Sequence, residues 1–118
     1  MQTYSSPHSD LRSGVFDLAI ALDAYEMTCS GLVDEWLDMA LYAEAGRSIA
    51  AIRQLGVPVP SLSVLTLQLA IAHAELESML WQRSSVGIAE ARVREVRERH
   101  AAAVQALRTA AARLLRND

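Results

Sequence analysis

The three histidines of this chain are the residues whose spacing could bind a metal. A carboxylate-bridged di-metal bundle needs a glutamate three residues before a histidine on each of two helices. No glutamate stands three residues before His8, His73 or His100. His73 and Glu77 lie one helical turn apart, but two ligands do not complete a metal site. The sequence therefore predicts no metal ion and no cofactor.

Nucleophilic chemistry has equally little support in the sequence. Cys29 is the single cysteine and lies on an apolar stripe, where a buried and unreactive thiol is expected. The five glycines never cluster into a phosphate-binding loop. No serine or cysteine can be given a histidine and an acid as partners from spacing alone. We therefore expect that the protein is not an enzyme.

Arginine is the remaining residue type that could form a binding site, and it is concentrated near the end of the chain. All eleven basic residues are arginine, and seven of them lie within residues 92–116. Glu95 and Arg99 form an i,i+4 pair in the favoured orientation. The three arginines without an obvious local partner are Arg92, Arg97 and Arg108. They are the candidates for phosphate contacts, although a net charge of −3 and the lack of interleaved aromatic residues make nucleic acid an unfavoured partner.

The distribution of charge predicts how the first and last helices pair. Residues 1–60 carry three arginines against eight acids, and residues 61–118 carry eight arginines against six acids. An acidic first half and a basic last helix favour antiparallel packing of the two, within one chain or across a dimer. The acidic residues expected to face the arginines are Asp17, Asp23, Glu26 and Asp38.

The composition indicates helices as the elements that position these residues. Twenty alanines and sixteen leucines favour an all-α fold over one rich in strands. A four-three alternation of apolar residues, typical of a coiled-coil-like helix, extends from residue 11 to residue 43. Its positions are Leu11, Val15, Leu18, Leu22, Tyr25, Cys29, Leu32, Trp36, Met39 and Ala43. Ser30-Gly31 interrupts this stretch, so either a continuous helix or a tight break is consistent with the pattern.

The central stretch 61–81 carries apolar residues on nearly every side. One stripe includes Leu62, Leu69 and Leu76. The opposite flank consists of Val64, Leu67, Ile71, Ala74 and Trp81. A helix that is apolar all round is expected to be buried. If the first helix does not cover that flank, the same five residues become the predicted subunit interface.

The predicted architecture is an antiparallel bundle of three to four helices with up-down connectivity. The helices are expected over residues 10–29, 31–55, 61–83 and 87–116, with the first two possibly joined. Gly56 is expected to take a left-handed conformation after Leu55, and the two prolines that follow force the chain to turn. Residues 1–9 are predicted to be a mobile tail, and residues 10–118 a single domain.

We expect a small bacterial-type helical interaction or scaffolding protein, of the adaptor or chaperone kind, that forms a homodimer. The lone cysteine and the polar interruptions within 57–81 favour a cytoplasmic protein that does not enter a membrane. One alternative is a regulator that places the arginine-rich helix 92–116 on nucleic acid. The other is a bundle that binds a small molecule in a pocket lined by aromatic residues. Those residues are Tyr25, Trp36, Tyr42 and Trp81.

Overall fold

The computed structural model describes residues 7–85 and 87–116, which form four helices without any strand. These are α1 (Pro7–Asp34), α2 (Met39–Gly56), α3 (Pro60–Ser85) and α4 (Glu90–Arg116). The predicted all-α class is confirmed. Helix α1 begins three residues before the predicted start at residue 10, so residues 7–9 belong to the helix. The rest of the predicted tail, residues 1–6, lies outside the described residues.

The four helices alternate in direction around one core. Arg12 near the start of α1 donates to the backbone carbonyl of Leu115 near the end of α4 at 2.7 Å, so these helices are antiparallel. Tyr42 near the start of α2 stacks on Trp81 near the end of α3, with ring centroids 5.2 Å apart. Contacts are most extensive between α1 and α2 and between α3 and α4. The predicted up-down helical bundle is therefore confirmed.

Each helix turns an apolar stripe into the core. On α1 the predicted alternation is buried from Val15 to Leu32, and on α4 the buried residues extend from Val93 to Ala111. The largest fully buried side chains are Val15, Leu18, Leu22, Tyr25, Leu32, Ile52, Leu62, Leu69, Leu76, Leu80, Val96 and Leu107. Cys29 is buried among them, as its position in the stripe predicts.

The break between the first two helices differs from the prediction. Helix α1 continues through Ser30-Gly31, because the residues on either side pack into the core and outweigh the cost of about 1 kcal/mol for a mid-helix glycine. The chain turns four residues later, over residues 35–38. There Asp38 caps α2, and its carboxylate accepts a hydrogen bond from the backbone N–H of Ala40 at 3.0 Å.

The turn between α2 and α3 forms where the sequence predicts it, but the role expected for Gly56 is wrong. Gly56 is helical, and the only positive φ among the described residues is that of Gly87, at 77°. A Cβ atom on Gly56 would overlap the side chain of Thr66 on α3. Glycine is therefore required here for a close approach of two helices rather than for a left-handed conformation.

The last two helices are separate, as in the expected ranges 61–83 and 87–116, but α3 continues to Ser85 and α4 begins at Glu90. Residue 86 lies outside the described part of the chain. Gly87 supplies the left-handed conformation that this connection uses. The backbone carbonyl of Ala89 then accepts from the N–H groups of Arg92 and Val93, which begins the last helix.

Candidate functional site: the outward face of α3

The interface predicted on α3 lies on the surface of the single chain. Val64 and Ile71 keep 64% and 65% of their side chains exposed, and Leu67, Ala74 and Trp81 are exposed as well. The expectation that α3 is buried on every side is therefore wrong. Only three other helices share the core with α3, and α1 lies across that core rather than behind α3. None of the described residues thus covers the outward flank.

The exposed residues of α3 retain the spacing of a coiled-coil seam. Together with Ser78 they occupy positions 64, 67, 71, 74, 78 and 81, a four-three alternation without interruption. None of these six positions carries a charge. Such a seam normally receives side chains from a second helix. We call these six positions the α3 seam.

Apolar and small residues of α2 extend this surface sideways. Met39, Ala43, Ala50 and Val57 follow a similar helical spacing and are all exposed. They lie on the helix that packs antiparallel to α3 through Tyr42 and Gly56. Arg53 lies between Ala50 and Val57 on the same side of α2, so the α2 part of this face carries an exposed charge whereas the α3 seam carries none.

Helix α1 carries a second exposed apolar stripe, which was not among the predicted features. Phe16, Ile20 and Met27 are more than half exposed on the side of α1 opposite its buried residues. Asp23 lies between them and forms an ion pair with Arg108 of α4. The four- and seven-residue spacing of these apolar residues in the sequence is the feature that could have indicated the stripe. A charged residue in the middle makes this stripe a poorer interface than the α3 seam.

The arginine candidates are mostly paired within the chain. Arg108 binds the carboxylates of Asp23 and Glu26 on α1, which agrees with the predicted antiparallel packing of the first and last helices. Arg92 pairs with Glu95 at 2.7 Å, so the expectation that it lacks a local partner is wrong. The predicted pair of Glu95 with Arg99 is confirmed, at 3.0 Å.

Arg97 is the exception among the three candidates. It is exposed and forms no ion pair with any residue that the structure describes. A single unpaired arginine gives little electrostatic attraction for a nucleic acid backbone, which usually requires several phosphate contacts. The three candidates therefore do not combine into one basic surface.

A chain of hydrogen bonds crosses the core. The fully buried Tyr25 hydroxyl lies 2.8 Å from Nδ1 of His73 on α3 and 2.7 Å from Nε2 of His100 on α4. Nε2 of His73 lies 3.2 Å from a carboxylate oxygen of Glu77. Both histidines are therefore buried and hydrogen-bonded, and their spacing in the sequence did not indicate that they share one partner.

Burial favours the neutral form of both histidines in this chain of hydrogen bonds. It lowers the pKa of His100 to about 4, and the neighbouring His73 contributes to the shift. Burial also lowers the pKa of His73, against an opposite influence of Glu77. The pKa of the Cys29 thiol is raised to about 11, again mainly by burial. A thiol with this pKa is protonated at neutral pH, which makes it a poor nucleophile.

The aromatic residues proposed to line a ligand pocket pack against their neighbours instead. Tyr42 stacks on Trp81 and donates its hydroxyl hydrogen to the backbone carbonyl of Trp36 at 2.8 Å. The guanidinium of Arg83 lies 5.8 Å from the ring centre of Trp36, a cation–π contact. Tyr25 lies in the separate buried cluster. The four residues therefore do not form one pocket.

The described part of the chain contains neither a cluster of possible metal ligands nor a membrane-spanning helix. No group of three histidine, cysteine, aspartate or glutamate side chains converges there as a metal site would require. None of the four helices combines the length and apolar character needed to cross a membrane. Comparisons of the chain with protein-family models, with curated proteins and with solved structures found no match.

Proposed function

We propose that this protein is a helical interaction module that forms a homodimer through the α3 seam. The observation that carries the proposal is the uncharged, regularly spaced and exposed stripe from Val64 to Trp81. A contiguous apolar face on a single chain favours a protein partner, because leaving it in water costs free energy.

The size of this face suits a modest dimer interface. The seam from Val64 to Trp81 is about 26 Å long at 1.5 Å per helical residue. With α2 beside it, the face is about two helix diameters wide, which gives a footprint of roughly 600 Å². A standard interface buries about 800 Å² of each partner. The two-helix face is therefore close to the required area, whereas α3 alone would be too narrow.

A second copy is favoured as the partner because the seam is complementary to itself. In an antiparallel pairing about a two-fold axis between residues 72 and 73, Val64 lies opposite Trp81, Leu67 opposite Ser78, and Ile71 opposite Ala74. The two inner layers then pair a large side chain with a small one, which allows close packing. A two-fold axis uses the same surface on both copies. A parallel pairing would place Ile71 on Ile71 and leave a gap at Ala74.

The proposal is tested by Leu67→Glu, with sedimentation equilibrium as the measurement. The change places an unpaired carboxylate in two equivalent layers, so the dimer should dissociate roughly a hundredfold more readily. Gln68→Glu is the matched control, because it adds the same charge one residue away from the seam and should leave the dimer intact. A wild-type chain that stays monomeric at high concentration, or a Leu67→Glu variant that dimerises normally, would contradict the proposal.

The antiparallel register has its own test. In the double variant Leu67→Glu with Ser78→Arg, each glutamate faces an arginine of the second copy, so dimerisation should recover relative to Leu67→Glu alone. A parallel pairing would set glutamate against glutamate and arginine against arginine. A double variant that dissociates as readily as the single one would therefore exclude the antiparallel arrangement.

A further inference from the structure

A groove between α1 and α4 lies on the side of the bundle away from the α2/α3 face. It is open to solvent, has a volume of about 250 Å³ and includes Leu76 of α3 and the buried Val104 of α4 among its apolar lining residues. Its polar lining comes from Glu26 and Ser30 on α1 and from Arg97 and His100 on α4. A concave site with an apolar lining and a few convergent polar groups is the usual form of a small-molecule site.

The hydrogen bonds in the core determine what His100 presents to this groove. With both histidines neutral, Nε2–H of His73 donates to Glu77, which leaves Nδ1 of His73 as an acceptor for the Tyr25 hydroxyl. The Tyr25 oxygen then accepts from Nε2–H of His100. Nδ1 of His100 is consequently an unprotonated acceptor. His100 lines the groove, so this nitrogen is the atom of its ring that can accept a hydrogen bond from a ligand there.

The polar groups are ordered along the groove by the antiparallel helices. Arg12 bonds Leu115 and Tyr25 bonds His100, so increasing numbers on α1 run beside decreasing numbers on α4. Two acceptors, Glu26 and Nδ1 of His100, therefore lie towards one end. Arg97 lies one helical turn away towards the other end, about 5 Å along the axis, where its guanidinium has no ion pair among the described residues.

We propose that this groove binds a small free amino acid with an aliphatic side chain. The ammonium group donates to Glu26 and to Nδ1 of His100, and the carboxylate binds the guanidinium of Arg97, the residue best suited to that geometry. The aliphatic side chain contacts Leu76 and Val104. A volume of about 250 Å³ is smaller than that of most pockets for drug-sized ligands, so the groove suits a small amino acid.

The site is tested by calorimetric titration of the full chain with L-leucine, 4-methylpentanoate and 3-methylbutylamine. The last two compounds lack the amino group and the carboxylate respectively. Leucine should bind saturably, and each analogue roughly tenfold or more weakly, because one charged hydrogen-bonding group is lost. Arg97→Gln should cause a similar loss, whereas Arg94→Gln, which removes a charge outside this groove, should bind as the wild type does.

Three results would overturn the amino-acid site. The first is a titration with leucine that does not saturate up to about 10 mM, because such binding is too weak for a specific small-ligand site. The second is normal leucine binding by Arg97→Gln. The third is that the two analogues bind as well as leucine does. Nitrogen chemical shifts of the His100 imidazole provide an independent readout, because Nδ1 should move when the ammonium group binds. The Leu67→Glu variant should bind leucine normally, so this inference is separable from the proposed dimer.

Discussion

At the scale of residues, Tyr25 organises the polar part of the core. Its single hydroxyl serves as donor to one histidine and as acceptor from the other, and it thereby connects α1, α3 and α4 at one level. Buried polar groups are tolerated only when they are hydrogen-bonded. No buried side-chain polar atom among the described residues lacks a partner. The network therefore fixes the register of three helices that apolar contacts alone would leave less well defined.

Removal of this hydroxyl should be costly for the fold. Tyr25→Phe leaves a buried acceptor on His73 and a buried donor on His100 without partners, so the free energy of unfolding should fall by about 2–4 kcal/mol. Tyr42→Phe is the matched control, because it removes one hydrogen bond to a backbone carbonyl at a less enclosed site, and about 1 kcal/mol is expected. Urea denaturation measures both. Equal losses in the two variants would show that the Tyr25 network has no special role.

At the scale of elements, the contact of α2 with α3 depends on one glycine. Gly56 at the end of α2 lies against Thr66 of α3, whose hydroxyl donates to the Leu62 carbonyl one turn earlier in its own helix. Both residues are buried. The absence of a side chain at position 56 lets the two backbones approach closely. This contact helps to set the position of the two helices that form the proposed dimer face.

Gly56→Ala should therefore destabilise the bundle, by about 1–3 kcal/mol, because the new methyl group overlaps Thr66 in a well-packed core. Gly46→Ala is the control within the same helix. Its Cβ would meet nothing within 4 Å, so the change should be neutral or stabilising by about 0.5–1 kcal/mol. Thermal or urea unfolding measures both. Combining Gly56→Ala with Thr66→Ala should reduce the penalty, and an unchanged penalty would place the strain elsewhere.

At the scale of the whole molecule, the two faces of the bundle have different chemistry. The α3 seam is uncharged and the α2 surface beside it is mostly apolar apart from Arg53, whereas the α1/α4 side carries exposed ion pairs such as those of Arg108 with Asp23 and Glu26. Exposed ion pairs of this kind contribute little to stability, typically below 1 kcal/mol each. The charges therefore favour the antiparallel order of the helices, and most of the folding free energy comes from the apolar core.

The stability of the whole bundle should depend on pH through its buried histidines. His100 has a pKa of about 4 in the folded chain and an ordinary value of 6.5, so the unfolded chain binds more protons between these values. The stabilisation is complete above pH 6.5 and is lost as the pH falls towards 4, by roughly 3 kcal/mol for this residue. His73 lies on the other side of the Tyr25 hydroxyl and adds to the same trend, because burial lowers its pKa as well.

Urea denaturation at a series of pH values tests this dependence. The wild type should show a free energy of unfolding that decreases steadily from pH 6.5 to pH 4. The variant His100→Gln should be less stable at neutral pH but should show a flatter profile across the same range, because one titrating group is gone. A wild-type profile that is flat or rises with falling pH would contradict the assignment of a neutral, buried His100.

Much of the fold could be predicted because helices are determined by residues three and four positions apart. The apolar stripe from Val15 to Leu32 identified the buried side of α1 without any knowledge of its neighbours. Gly56 and the prolines after it marked the chain reversal, and the arginine-rich last helix indicated an antiparallel partner with acidic residues. Each of these conclusions rests on local spacing or on the sign of charge, which the sequence states directly.

Other features of the fold depended on choices between equivalent local patterns, which only contacts between helices could settle. Helix α3 has two apolar stripes, and periodicity cannot tell which is buried, because that depends on how many helices surround it. The end of α1 beyond Ser30-Gly31 was decided by packing that outweighs the cost of a mid-helix glycine. The partners of His73 and His100 lie on other helices, far away in the sequence. The exposure of the α3 seam and the shape of the α1/α4 groove therefore depend on contacts between residues far apart in the sequence, not on local pattern.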